Sequence, residues 1–197
     1  MRFVLASASP ARLATLQAAG VRPEVIVSGF DESSIRASTT TALVAALAGV
    51  KAQTVAAQMG DALVLGCDSL LEFEGRGLGK PGSVADAVER WQRMRGKQGV
   101  LVTGHCLIDV ASGRRREAVA RTSVHFADVS DAEIEAYCRT GEPIGVAGAF
   151  TIDGLGGWFV EAVDGDHHNV VGLSLPLLRR MLAELGYGLG DIGYPSA

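Results

Sequence analysis

The sequence predicts an α/β domain, a mixed twisted sheet with flanking helices. Three observations point to it. Short apolar runs of buried-strand character alternate with amphipathic helical stretches early in the chain, a β-hairpin is inserted midway, and no segment repeats. With 197 residues, 48% of them hydrophobic and 20% charged, the chain can bury a sizeable core, and its composition excludes intrinsic disorder.

Taken in order, Phe3 to Ala6 reads as a first strand. It breaks at Ser7-Ala8-Ser9-Pro10 into a helix with Ser9 as N-cap, Pro10 as first residue, Leu13 and Leu16 on one side and Gly20 as its stop. Val25-Ile26-Val27 reads as a second strand running into the acidic turn Asp31-Glu32, and Thr39 to Thr41 cap a long helix with an apolar stripe through Leu43, Leu47, Val50, Thr54 and Val55. Ala62 to Gly66 is the best buried strand. Cys67-Asp68-Ser69-Leu70-Leu71 follows at once, which places a carboxylate in or just beyond an apolar strand. Glu74-Gly75-Arg76 reads as a hairpin tip. Gly79-Lys80-Pro81-Gly82 feeds a helix capped by Ser83 with Asp86 and burying Val84, Val88 and Trp91. Val100 to Val110 and Glu117 to Phe126 form two strands about the turn Ala111-Ser112-Gly113-Arg114. Ser130 and Glu133 cap a helix ending near Gly141, and a last helix runs from Ser174 through Leu178 and Met181 to Gly186. Residues 1–186 thus read as one domain, with the middle hairpin and the Ser130 helix as material for a second lobe. Residues 187–197 form a Gly-rich tail with no predicted order.

Eighteen Lys and Arg against 22 Asp and Glu leave a net charge of −4, which argues against blanket neutralisation of a nucleic-acid polymer. Any anionic ligand must meet a local cluster of cations. Three cysteines without a CxxC pair give neither a disulfide framework nor a zinc knuckle, and with no signal-peptide pattern the expected location is cytoplasmic. No apolar run is long enough to span a membrane. Glycine, at 25 residues, is well above the usual ~7%, so many positions turn tightly or meet a neighbour closely.

Chemistry-bearing candidates follow from placement. The Ser7-to-Arg12 turn puts unpaired N–H groups, the positive end of a helix dipole and a cation together, which suits phosphate; a capped helix with a solvated Arg12 is the plainer reading. Lys51 falls on the apolar stripe of its helix, either snorkelling or reaching a ligand. Asp68, next to a buried strand, must be hydrogen-bonded, paired or metal-bound, or else cap a turn. Lys80 stands on a stiff loop and Glu32 on an acidic one. Three cations against two carboxylates can hold a polyphosphate together with a hard divalent ion. Gly154-Leu155-Gly156-Gly157 lacks dinucleotide spacing. His167-His168, read as a strand pair, point to opposite faces and make a poor metal pair. Cys67, Cys106 and Cys138 read as buried structural thiols, although Cys106 follows His105.

LASASPARL, Asp31-Glu32, the lysine of LAGVKAQ, GCDSLL, GKP, VTGH, GEPIGVAGAFTIDGLGGWFVEAVDG and NVVGLSLPLL resemble, in order and spacing over residues 3 to 182, the Maf family of nucleoside triphosphate pyrophosphatases. The resemblance implies a fold similar to the inosine triphosphatase group with a cleft between two lobes, often a homodimer, and a hydrolase of nucleotide metabolism. It implies cleavage of a nucleoside triphosphate to monophosphate and pyrophosphate with Mg²⁺ or Mn²⁺ as cofactor. It makes Asp68 the proton acceptor, and has Ser7, Ser9, Arg12, Glu32, Lys51 and Lys80 bind substrate, with Glu32 and Asp68 available to the metal. Positions matching Ala11, Ser69 and Asp153 select the base: the branch acting on dTTP and UTP carries Arg, Thr and Gln there, and the branch acting on 7-methyl-GTP carries Trp, Gln and Glu. This chain has neither set. Small Ala11 opens the pocket, and Asp153 could accept from a base edge with donors such as guanine, or simply serve the turn before Gly154. Two other classes fit the same residues: a nucleotide-binding regulator of cell division without turnover, and a nucleotidyltransferase.

Overall fold

The computed structural model describes residues 1–195. Its elements are β1 (Phe3–Leu5), α1 (Pro10–Ala18), β2 (Glu24–Val25), α2 (Thr40–Ala56), β3 (Leu63–Phe73), β4 (Arg76–Leu78), α3 (Val84–Met94), β5 (Gln98–Asp109), β6 (Arg115–Phe126), α4 (Asp131–Arg139), β7 (Val160–Asp164), α5 (His167–Val171) and α6 (Leu175–Glu184), with short 3₁₀ turns between them. The strands form a seven-stranded mixed sheet in the order β2-β1-β3-β5-β6-β7, with β4 paired to β3 outside that row. β1 is parallel to β2 and β3, while β4 folds back antiparallel on β3 and β7 on β6. The α/β class with a mixed sheet and flanking helices is therefore the observed one.

The chain divides into two compact units. The first comprises Met1–Asp68, Thr103–Ala120 and the chain from Gly172 onward; the second comprises Ser69–Val102 and Arg121–Val171.

In the first unit the two-residue period of the strands sorts the core. Phe3, Leu5, Leu63, Leu65, Cys67 and Leu107 pack with Leu16 of α1 and with Leu177, Leu178, Met181 and Leu182 of α6. Val4, Ala62, Val64, Cys106 and Ile108 pack with Ala48, Ala52, Val55 and Ala56 of α2. Two glycines set how closely α2 lies against the strands. A Cβ on Gly66 would stand 2.3 Å from the Ala48 carbonyl oxygen, and one on Gly104 would stand 2.2 Å from that of Val44. Only glycine fits there. In the second unit Trp91 is fully buried, meets Phe126, Tyr137 and Phe159 edge-on at 5.5, 5.7 and 5.6 Å, and donates its indole N–H to the Ala149 carbonyl at 2.7 Å.

The helix starts lie at Ser9, Thr39, Ser83, Ser130 and Ser174, each side chain accepting an N–H of the first turn. Other expectations need correction. β3 does not stop near Gly66; it continues for 11 residues, so Asp68 sits mid-strand. Gly66 lies inside the strand and is there to admit α2. Val84 is 45% exposed, because the buried face of α3 is Ala87, Trp91 and Met94. His167 and His168 open the short α5 and are not in a strand. The Gly-rich segment after the last helix is ordered through the 3₁₀ turn Leu189–Ile192, since Ile192 is buried in the α6 core with Tyr187 and Leu189 packed against it, and Gly193, at φ +88°, closes the turn. Residues 196 and 197 of the tail lie outside the described residues. β7 and α5 were not anticipated, both being only five residues long. Among the described residues no helix is long and apolar enough to cross a membrane.

Candidate active site

The same two-residue period that sorts the core aims Asp68. It shares a face of β3 with Val64 and Gly66, the face that α2 covers. On α2, Lys51 lies one turn from Ala48 and Val55, so it faces the sheet. The close contact at Gly66 brings the two charges together, with Lys51 Nζ 2.6 Å from Asp68 Oδ1. Both side chains are nearly buried, 11% and 12% exposed. The same ammonium lies 2.8 Å from Glu32 Oε1, on the 3₁₀ turn Glu32–Ser34, where Glu32 is half exposed. Two carboxylate oxygens thus converge on one buried cation. Burying these charges unpaired would cost several kcal/mol each, on the order expected for isolated ions, so the cluster stands only as a set.

The Ser7–Arg12 turn is tied to the same strand. Arg12 is buried, which excludes the solvated reading. Its Nε donates to the Gly172 carbonyl at 2.7 Å, and Nη1 donates to Ser7 Oγ and to the Cys67 carbonyl, both at 3.0 Å. Cys67 is the residue before Asp68. Ser7 Oγ also accepts the Ser9 N–H at 3.2 Å, and Ser9 Oγ caps α1 through the Arg12 N–H at 3.4 Å. Ala11 is partly buried on the first turn of α1, its carbonyl accepting the Thr15 hydroxyl at 3.0 Å.

Lys80, Ser69 and Asp153 belong to the second unit. Lys80 is exposed, and the loop beneath it is stiffened because the Gly79 carbonyl accepts from Arg90 Nη1 at 2.7 Å and from the Gly148 N–H at 3.1 Å. Ser69 follows Asp68 on β3 and is half-buried. Asp153 is exposed and accepts the Thr151 hydroxyl.

Two further residues, Glu142 and His105, hold neighbouring segments in place. Glu142 gathers the Leu155 N–H and the Gly156 N–H, each at 2.9 Å, and the Tyr137 hydroxyl at 2.8 Å. That clasp accounts for the GLGG stretch: a Cβ on Gly154 would lie 2.5 Å from Glu142 Oε2, and one on Gly156 would lie 2.4 Å from the Tyr137 oxygen. His105 is 1% exposed in β5 and accepts the Ser174 N–H on Nε2 at 3.0 Å. A polar ring inside an apolar strand was its visible signal; nothing local marked Glu142. Burial pushes the Cys67 and Cys106 thiols up to about 12, which suits structural cysteines.

Fold and site together define an α/β protein in which a buried lysine of α2 lies between a carboxylate of β3 and one of the Glu32–Ser34 turn, with an arginine-anchored helix start tied to the same strand. The chain belongs to the Maf-like protein family, whose model matches residues 2–185. A protein of Salinispora tropica named nucleoside triphosphate pyrophosphatase is 62% identical over 190 residues, covering 94% of this chain and 84% of that one. A Streptomyces coelicolor protein of the same name is 53% identical, covering 99% and 96%. Among solved structures, a HAM1 protein from Coxiella burnetii aligns with a TM-score of 0.45 at 17% identity, over 66% of this chain and 74% of that one.

Proposed function

We propose that this protein is a nucleoside triphosphate pyrophosphatase, a hydrolase of acid anhydrides that splits a nucleoside triphosphate into monophosphate and pyrophosphate. The observation that carries the reading is the Glu32–Lys51–Asp68 triad, with Lys51 Nζ 2.8 and 2.6 Å from the two carboxylates. Phosphate binding alone needs cations and N–H groups. Carboxylates add repulsion unless they move a proton or hold a metal ion. The family and the names of its relatives point the same way.

In this reading water attacks the α-phosphorus, a new P–O bond forms, the bond to the bridging oxygen breaks, and the electron pair leaves on pyrophosphate. Asp68 takes the proton, its Oδ1 held by Lys51, a role usually worth ~10² to 10⁴ in rate. The lone pairs of Ser7 Oγ are occupied by Arg12 and the Ser9 N–H, so its hydroxyl proton is directed to a phosphate oxygen. The charges of Arg12 and Lys51 stabilise the leaving pyrophosphate, and Lys80 is a further residue we assign to substrate binding. Among the described residues no cluster of three or more Asp, Glu, His or Cys side chains forms a protein-only metal cage. Two converging carboxylates nevertheless fit Mg²⁺ or Mn²⁺ shared with substrate phosphates, because such ions take one or two protein carboxylates and complete their shell elsewhere. Glu32 and Asp68 would hold it, and it would supply charge neutralisation and Lewis acidity. Ala11, Ser69 and Asp153 are the residues we assign to base selection.

The test is pyrophosphate release from canonical, methylated and deaminated triphosphates with Mg²⁺ or Mn²⁺, comparing the wild type with Asp68→Asn. Turnover lost in the variant supports the reading. Turnover unchanged removes Asp68 as base, nucleotide binding with no product favours a regulator, and nucleotidyl adducts with added alcohols or sugar phosphates favour a transferase.

A further inference from the structure

We infer that His105 is a positioning residue for Arg12, and through it for the Ser7–Arg12 turn; this rests on the reading of that turn as a phosphate grip. The ring is fixed at both nitrogens. Nδ1 lies 3.1 Å from the Thr103 carbonyl, which can only accept, so Nδ1 carries the proton. Nε2 is then the bare acceptor that receives the Ser174 N–H at 3.0 Å. Neutral and in one tautomer, the imidazole is held on the β5 face that packs against α6.

Ser174 is the N-cap of α6, its Oγ accepting the Leu177 N–H at 3.2 Å, and it is 3% exposed. Two residues earlier Gly172, at φ +116°, turns its carbonyl to Arg12 Nε at 2.7 Å. Arg12 Nη1 in turn holds Ser7 Oγ and the Cys67 carbonyl. A hydrogen-bonded path therefore runs from the buried ring through the 172–174 turn to the guanidinium, and from there to the helix start and to the residue before Asp68. For packing alone an aliphatic side chain of similar volume would serve. It would strand the Ser174 N–H in the interior, and the cheapest relief is movement of the turn toward water, which carries the Gly172 carbonyl away from Arg12.

The experiment compares His105→Leu with His105→Gln, whose Oε1 is as many bonds from Cα as the imidazole Nε2 and restores the acceptor. We read nucleotide kinetics together with hydrogen exchange at the Arg12 Nε–H, assigned by its loss in Arg12→Lys. In His105→Leu, KM should rise about tenfold with kcat held within about threefold, and exchange should quicken about tenfold or more, while His105→Gln returns both toward wild type. Unchanged exchange in His105→Leu overturns the inference. So does equal impairment of the two variants, or a fall in kcat with KM unmoved. If the wild type hydrolyses no triphosphate, the functional reading fails, and the exchange arm alone still decides the part played by His105.

Discussion

Lys51 Nζ lies 2.6 Å from Asp68 Oδ1 in the interior of the first unit, so the carboxylate assigned as base rests against the cation assigned to phosphate. The pairing follows from a two-residue period on β3, a helical repeat on α2 and a glycine that lets the two approach. It also means that Asp68 and Glu32 are held ready by a resident charge of the protein itself.

Replacing that charge exposes its work. Lys51→Met leaves Asp68 buried and facing Glu32 with nothing between them, and we expect a loss of about 2–3 kcal/mol in urea unfolding at pH 7, somewhat below a fully buried pair because Glu32 is half exposed. The same variant leaves two carboxylates without a counter-ion, so Mn²⁺ should raise its Tm more than that of the wild type. A Tm gain no larger than in wild type would mean that the two carboxylates do not share a cation.

The approach of α2 to β3 is equally open to test. Gly66→Ala places a methyl 2.3 Å from the Ala48 carbonyl and 2.7 Å from the Ala52 nitrogen, both backbone atoms that cannot swing aside. The cost should reach or exceed the ~1–3 kcal/mol of ordinary overpacking, and activity should fall with it as Lys51 is displaced. Gly60→Ala, which meets nothing within 4 Å, is the control and should be close to silent. Equal stability of the two variants in denaturant titrations would contradict the packing described.

How much of this was legible beforehand varies with how local the cause is. Caps at Ser9, Thr39, Ser83, Ser130 and Ser174 could be read because a cap is chemistry within one turn. Asp68 and Lys51 could each be singled out as charges in apolar surroundings, yet their pairing depends on α2 crossing β3, which spacing alone does not reveal. The need for Gly66 is hidden for the same reason, since the backbone that requires it belongs to α2, some 14 to 18 residues earlier in the chain. Arg12 stands out locally as a cation at a helix start, but its donation from Nε and Nη1 to carbonyls 160 and 55 residues away in the chain is set by tertiary packing that spacing alone does not reveal. His105 and Glu142 act on segments 69 and 13 to 14 residues distant, so no short motif announces them.

Acid stability should depend on Asp109 at the β5–β6 turn. Burial by itself raises this carboxyl, but hydrogen bonds from Ser112, Tyr187 and Arg114 outweigh it and hold the pKa below the usual Asp value. A depressed folded pKa stabilises the protein at pH values above the unfolded pKa of ~3.9, and that stabilisation is lost as pH falls through the folded value. Asp109→Asn should therefore be less stable than wild type by about 1–3 kcal/mol at pH 7, with the gap closing below about pH 4. Urea midpoints at pH 7, 5 and 3 measure it; a gap that persists undiminished at pH 3 excludes this carboxylate as the source.

The Glu142 clasp makes a separate prediction for base selection. Its two oxygens collect three donors, from Leu155, Gly156 and Tyr137, and so hold the turn that begins at Asp153. Glu142→Gln keeps the shape but exchanges one acceptor for an NH₂ group, setting a donor against a donor and costing about 1–3 kcal/mol within that turn. If Asp153 reads a base edge, the preference for guanine over adenine triphosphates should shrink in both Glu142→Gln and Asp153→Ala, measured as ratios of kcat/KM. The double variant should be no less selective than Asp153→Ala alone, since both changes act through one contact and their effects should not add. Selectivity that survives Asp153→Ala would leave the clasp as a brace for the 3₁₀ turn Leu155–Phe159 and move base recognition to other residues.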